Sequence, residues 1–192
     1  MAIDKVVSAS ITTDAVGPTQ LNEASNYDFT GTVTGAGGVN TPAFLAYKTG
    51  GTQTIANNTE TRITLATELY DVGGCFNNTG SSTTLNGLTA PEYSFTPNVA
   101  GKYLIGVKVH METATGSGYY NILYAKKNTS YIIEMQSYAE NGSARSVAAS
   151  TIVDLNGTGD YVNMAVWQNT GSNKTCYQNQ NNTYFFACKI IE

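Results

Sequence analysis

His110 is the sole histidine of the chain, and it is the first place to look for a general base. Alternation along its segment puts it on the face of Lys102 and Lys108. There is no second histidine, and no serine or cysteine lies in a recognisable nucleophile motif. Neither a triad nor a dyad can therefore be argued, and the expectation is an ordinary surface or interface histidine. Residues 154–160 echo a calcium loop, with oxygen donors at Asp154, Asn156, Thr158 and Asp160 and a glycine at the sixth place. Such a loop also needs a bidentate glutamate at the twelfth place, where the chain has Ala165. A plain turn between strands is expected. The acidic residues are scattered and single out no pair for glycoside hydrolysis.

Cys75, Cys176 and Cys188 are odd in number and form no Cys-x-x-Cys pair, which disfavours a disulfide framework or a zinc site. They read as three reduced, mostly buried thiols acting as small apolar residues, with a Cys176–Cys188 bridge left open. Asn-x-Ser/Thr sequons, such as those at Asn57 and Asn128, are expected by chance in so Asn- and Thr-rich a chain. No cofactor and no metal is implied.

The elements that must position these groups are strands. Charged residues make up 12% of the 192, about half the usual share of roughly 25%. Thr, Asn, Ser, 19 Gly and 13 Tyr fill the deficit. With 41% hydrophobic residues and a net charge of -4 this is not a disordered composition, and it suits an all-β protein with a hydroxyl- and amide-rich surface. A pI near 4.9 without a Lys/Arg cluster argues against a nucleic-acid partner. No apolar run approaches the roughly 20 residues that cross a bilayer, so membrane insertion is not expected. The first residues lack a basic-then-apolar signal pattern, which points to synthesis in the cytoplasm without export by a signal peptide.

Residues 93–111 organise the chain. Pro97 and Gly101 punctuate a turn. After it Tyr103, Ile105, Val107, Val109 and Met111 fall on one face, and Lys102, Leu104, Gly106, Lys108 and His110 on the other. That period of two marks a half-buried antiparallel strand. Residues 61–72 alternate in the same way, with Ile63, Leu65 and Thr67 on one face, and read as one strand. Residues 77–92 read as a long polar loop. Further strands are expected at YYNILYAKKN, SYIIEMQSYA, SVAASTIVDL, YVNMAVWQN and TYFFACKII, with a second polar loop at TGSNKTCYQNQNN. Many short strands joined by Gly/Asn turns imply a sandwich or jelly roll.

Residues 1–41 differ from the rest. Short apolar islands, at Ile3, Val6, Ile11, Val16, Leu21 and Phe29, are separated by turn residues and lead into Gly35-Ala36-Gly37-Gly38. None is long enough to bury a core alone, and the islands are too regular for a pure linker. An anchoring stem over 1–41, followed by a globular domain over 42–192, is the expected organisation. In that domain Val162, Met164 and Val166 make the better core face of their strand. Tyr161, Asn163, Ala165 and Trp167 then lie on the other. A trimer would bury Trp167 between subunits, the favoured reading. Trp167, Tyr161, Tyr119, Tyr120, Tyr138 and Tyr177 stand alternatively as a surface for stacking on a glycan.

Residues 42–192 resemble the C1q-like domain, the jelly roll shared with the tumour-necrosis-factor group. Four matches carry the resemblance. Gly74-Cys75-Phe76 fits Gly-x-Phe, and Phe95-Thr96-Pro97 through Gly101-Lys102-Tyr103 fits Phe-x-Pro…Gly-x-Tyr. Leu155 with Gly159-Asp160-Tyr161-Val162 fits Leu…Gly-Asp-x-Val. Residues 185–190, FFACKI, stand where the family closes with Phe-Ser-Gly-aromatic-x-aliphatic, departing at Phe186, Ala187 and Cys188. The resemblance implies an all-β, ten-stranded antiparallel jelly-roll sandwich, preceded here by a short extended N-terminal stem, and a tight homotrimer.

The flavour of the motifs (PAFLAYKTGG, ELYDVGG, STIVDLNGTGDYV) resembles C1q-like knobs of bacteriophage structural proteins, and residues 11–38 resemble leader segments of phage fibre proteins. That resemblance implies a non-enzymatic virion surface protein, a capsid decoration, head fibre or short tail fibre. Its partners would be itself, a capsid or tail protein bound through residues 1–41, and a host surface glycan. A monomeric bacterial carbohydrate-binding module is the alternative.

Overall fold

A computed structural model describes residues 40–112, 119–138 and 144–191. The apolar islands of the stem, the turn at TATGSG and residues 140–143 of the turn at ENGSAR lie outside the described residues. Short alternating segments closed by Gly and Asn turns give fourteen β-strands and no helix among the described residues. The first seven are β1 (Ala43–Tyr47), β2 (Gln53–Ile55), β3 (Thr61–Arg62), β4 (Thr67–Val72), β5 (Thr83–Leu85), β6 (Leu88–Ala90) and β7 (Ser94–Phe95). The rest are β8 (Gly101–Met111), β9 (Tyr120–Lys127), β10 (Ser130–Tyr138), β11 (Arg145–Leu155), β12 (Val162–Gln168), β13 (Lys174–Cys176) and β14 (Tyr184–Ile191).

All pairings are antiparallel. In the seven-stranded sheet β4, β1, β14 and β8 lie side by side. β11 pairs with β8 along its full length, and β13 and β2 extend the sheet beside Met111. The five-stranded sheet runs β10–β9–β12, with β3 and β7 both against β12. The organising strand, β8, lies as expected, with Tyr103, Ile105, Val107, Val109 and Met111 all buried. Val162, Met164 and Val166 face the same core from the other sheet.

Three loop and strand expectations are corrected. Residues 77–92 are not simply loop, because β5 and β6 form a hairpin there. Its turn is Asn86-Gly87, both at positive φ (50° and 81°), as a two-residue hairpin loop requires. Residues 61–72 are not one strand. Thr61–Arg62 pairs with β12, and Ile63 still donates to the Met164 carbonyl at 3.0 Å. The chain then crosses, and β4 joins the other sheet. Ile63 and Leu65 are buried as predicted, but they fill the crossing between layers. The polar stretch 170–182 contains β13, held by β2 and by Met111.

The segments that carry the family resemblance converge physically. Phe44 stacks on Phe76 (centroids 4.5 Å) and Phe95 (4.8 Å) and meets Phe185 edge-on at 4.8 Å, while Phe95 packs edge-on against Tyr103 at 5.5 Å. Such offset and T-shaped pairs add to the burial of the rings themselves. The Tyr103 hydroxyl donates to the Val99 carbonyl at 2.7 Å, which ties the strand back to its own turn. Burial raises its pKa. The Asp71 carboxylate accepts the backbone N–H groups of Cys75 (3.1 Å) and Phe76 (2.9 Å) and so fixes the turn that delivers Phe76.

Candidate functional site

With the inner faces committed to the core, the outer faces of the two sheets are what remains for function. They differ in chemistry. On the seven-stranded sheet the register lines up Ile152, Leu104, Cys188, Ala43 and Val72 in one cross-strand row. The next row is Ser150, Gly106, Phe186, Leu45 and Tyr70. Ile152 is 58% exposed and Val72 50% exposed, while Leu104, Phe186 and Leu45 are half-buried. Gly106 makes room for the Phe186 ring, which lies across it where a Cβ would collide. A third row, Ala148, Lys108, Tyr184, Tyr47 and Thr67, borders the patch. Lys108 sits 5.9 Å over the Tyr184 ring and donates to the Asn181 carbonyl at 2.7 Å.

Five strands at about 4.8 Å spacing and two to three such rows make a flat apolar area on the order of 300 Å², in the range that marks an interaction surface. An antiparallel sheet with one solvated face reads as alternating apolar and polar residues. β1 (AFLAY) and β14 (YFFACKII) do not alternate, being apolar on both faces.

The five-stranded sheet carries aromatics among ion pairs. Trp167 is half-buried on its outer face beside Tyr120 (5.4 Å), and Tyr138, 60% exposed, lies 5.9 Å from Tyr120 on the other side. Farther along, Tyr124 packs on Tyr131 at 4.6 Å and Lys126 lies 4.9 Å over the Tyr131 ring. Lys126 and the Tyr131 hydroxyl both reach the Glu60 carboxylate, each at 2.8 Å. The hydrogen bond to Glu60 pushes the Tyr131 hydroxyl up to about 12. Arg62 pairs with Glu92 at 3.3 Å, and Lys127 with Asp160 at 2.8 Å.

The site residues expected from sequence do not form one cluster. Trp167 and Tyr138 come together through Tyr120. The Tyr119 hydroxyl lies near Gly171 in the turn after β12. Tyr161 lies six residues from Trp167 at the far end of β12, roughly 20 Å away at strand rise. Tyr177 packs edge-on against His110 at 5.1 Å, on the other sheet. Asn163 and Ala165, which share the outer face with Trp167, are already buried within the chain. Tyr120 is among the tyrosines expected from sequence, whereas Tyr124 is not. The signal for Tyr124 is the alternation of Tyr120, Ile122, Tyr124 and Lys126 on one side of β9.

His110 Nδ1 lies 2.7 Å from Ser146 Oγ across the β8–β11 ladder, a pairing invisible in sequence. Ser146 is exposed on an extended strand, and among the described residues no carboxylate is bonded to His110. The 154–160 loop closes on itself. Asn156 Oδ1 accepts from the Thr158 and Asp160 amides, and Asp160 accepts from Asn128, Lys127 and the Asn156 amide. Burial pushes the Asp160 carboxyl up, but the bonds from Lys127, Asn128 and Asn156 outweigh it and hold it below the usual carboxylate range. Its oxygens are engaged as a turn requires. The three cysteines are free thiols, Cys75 and Cys176 buried and Cys188 half-buried on the outer face. Burial raises the Cys75 and Cys176 pKa values, which keeps them inert. No described helix is long and apolar enough to cross a membrane.

No protein-family model matches the sequence, and no curated protein matches it. Solved structures do. The tumour-necrosis-factor protein Eiger of S. frugiperda superposes with a TM-score of 0.53 at 11% identity, over 78% of this chain and 92% of that one. The globular domain of zebrafish complement 1qA gives 0.50 at 16% identity, over 79% and 99%. The PRD1 vertex protein P5 covers 80% of this chain and 99% of its own at 19% identity, with a TM-score of 0.49 that adds nothing to these two. At such identities the likeness is one of fold: the domain is an all-β, antiparallel jelly roll of the tumour-necrosis-factor and C1q type.

Proposed function

We propose that this chain is a non-enzymatic structural protein of a bacteriophage virion, a homotrimeric knob displayed on the particle surface. The observation that carries the assembly is the apolar outer face of the seven-stranded sheet. Ile152, Leu104, Phe186, Leu45, Tyr70 and Val72 lie there in register with no strand or loop over them among the described residues. Burying it against two copies around a threefold axis removes it from water and closes the assembly. The phage setting is supported by the sequence resemblance of both the domain and its leader. Residues 1–41 anchor the knob to a capsid or tail protein, and the domain of residues 42–192 faces the host. Adhesion to a host glycan is multivalent in a trimer, so weak single sites suffice.

A second reading, a monomeric carbohydrate-binding module, is favoured by the aromatic group of Trp167, Tyr120 and Tyr138. Light scattering on a sizing column separates the two. The chain is 20.4 kDa. A species of three times that mass that survives dilution is expected, and a monomer would overturn the knob in favour of the module.

A further inference from the structure

We propose that the outer face of the five-stranded sheet is a binding platform for uncharged oligosaccharides, with Trp167, Tyr120 and Tyr138 as its stacking end. The inference deepens the adhesion reading above and rests on it in one respect, that self-association covers the other sheet and leaves this one open.

Three observations carry it. First, the rings are ordered along a line. Tyr120 and Tyr124 alternate onto the same face of β9 and are roughly 14 Å apart at strand rise. Each has a partner ring from a neighbouring strand, Trp167 and Tyr138 at one end and Tyr131 at the other. At the second end the exposed ring is Tyr131, which covers the buried Tyr124, and the line from Trp167 to Tyr131 is long enough for several sugar units. A pyranose presents a face of C–H groups that packs flat on the electron-rich face of an aromatic ring, with its hydroxyls pointing sideways.

Second, the polar groups beside the rings are of the kind that meets hydroxyls. The Gln136 amide is exposed on β10, opposite Ile122, on the same outer face. The tyrosine hydroxyls add further donors and acceptors.

Third, charge selects the class. The basic side chains of this sheet are Arg62, Lys126 and Lys127, and each is already in an ion pair, with Glu92, Glu60 and Asp160 respectively. Glu134 stands exposed among the rings. A sulfated or carboxylated glycan would therefore meet paired cations and an unpaired anion, whereas a neutral one meets rings and amides.

Trp167 is the chain's single tryptophan, so its fluorescence reports from within the platform. The test titrates the full-length protein with cellotetraose, maltotetraose and chitotetraose, with a heparin tetrasaccharide as the anionic comparison, and records the mass of each sample by light scattering. At least one neutral tetrasaccharide is expected to shift Trp167 emission to the blue and to shield it from acrylamide, while the heparin fragment does neither. Tyr138→Ala should weaken that binding roughly tenfold. Tyr177→Ala, which removes a ring that packs against His110 on the other sheet, should leave it unchanged.

A trimer whose emission no neutral tetrasaccharide moves overturns the platform and leaves the assembly standing. A monomer that binds a neutral tetrasaccharide overturns the assembly and leaves the platform standing. Trp167 shielded from acrylamide in the free trimer overturns the platform, because a neighbouring copy then covers the face. Heparin binding as tightly as the neutral sugars overturns the assignment of class.

Discussion

Ile152→Glu should dissolve the trimer while leaving each chain folded. Ile152 lies on β11 opposite Leu104 and is 58% exposed in the single chain, so a glutamate there meets water in the monomer. Surface changes of that kind are usually within about 0.5 kcal/mol. Complete burial of an isoleucine is worth about 1.5–3 kcal/mol. Covering the exposed part of Ile152 therefore contributes on the order of 1 kcal/mol per subunit, all of which the variant loses. Placing a carboxylate in a covered apolar face costs several kcal/mol more unless it finds a cation. Lys102, in the next same-face pair of the ladder, is already bonded to Asp154 at 2.6 Å. Over three copies the penalty is on the order of 10 kcal/mol. A micromolar association is worth only about 8 kcal/mol.

The assay is sedimentation or light scattering at micromolar loading, with circular dichroism to confirm the fold. A folded monomer is the expected outcome. A variant that keeps the wild-type trimer mass would refute the argument that this face meets the other copies and would move attention to the sheet that carries Trp167.

Two further changes probe the same framework. Gly106→Ala places a Cβ where the Phe186 ring lies. That ring is half-buried on the outer face and can swing outward, so chain stability should fall by no more than about 1–3 kcal/mol while the trimer weakens. The double variant with Phe186→Leu should recover the association, and a purely additive double-mutant cycle would contradict the packing account.

Lys48 tests the core. It is 3% exposed, and among the described residues its ammonium bonds only Thr64 Oγ1 (3.3 Å) and the Thr49 carbonyl (3.4 Å) and enters no ion pair. Burial lowers its pKa below 10.5, opposed by Cys176. The unfolded chain therefore binds more protons between the folded value and 10.5, so stability should rise with pH across that window and be lower beneath it. Lys48→Met should stabilise the fold by about 1 kcal/mol at neutral pH and flatten the rise seen in urea melts. Equal slopes for the two proteins would refute the assignment.

What was legible in the sequence follows from which physical signals are local. The faces of β8 were readable because Tyr103 to Met111 alternate without interruption, and one register places them all. The hairpin of β5 and β6 had a local signal as well, Asn86-Gly87, but the Ser- and Thr-rich flanks mask any apolar alternation around it. The break between β3 and β4 had none. Ile63 and Leu65 alternate just as a strand would, and only the partners of Arg62 and Thr67, on different sheets, decide that the chain crosses there. The pairing of His110 with Ser146 and the row from Ile152 to Val72 depend on register between strands distant in sequence, which no single segment encodes.

Trp167 illustrates the same limit from the other side. Its strand periodicity correctly puts it opposite Val162, Met164 and Val166, yet periodicity cannot distinguish a face that another copy covers from one that stays open. The neighbours can. Around Ile152 the cross-strand partners are Leu104, Cys188 and Ala43, side chains with little to offer water, and leaving them exposed has a steady hydrophobic cost. Around Trp167 they are Ile122 and Gln136, with the Tyr120 ring alongside and Tyr138 beyond it, and farther along the sheet Lys126 pairs with Glu60 and Arg62 with Glu92. A surface of the first kind becomes more stable by being closed for good, and a closed threefold ring does that with one patch per chain. A surface of the second kind is already solvated and gains only from a partner that matches its rings and amides in turn. That asymmetry between the two sheets is the physical reason for assigning self-association to one and recognition to the other.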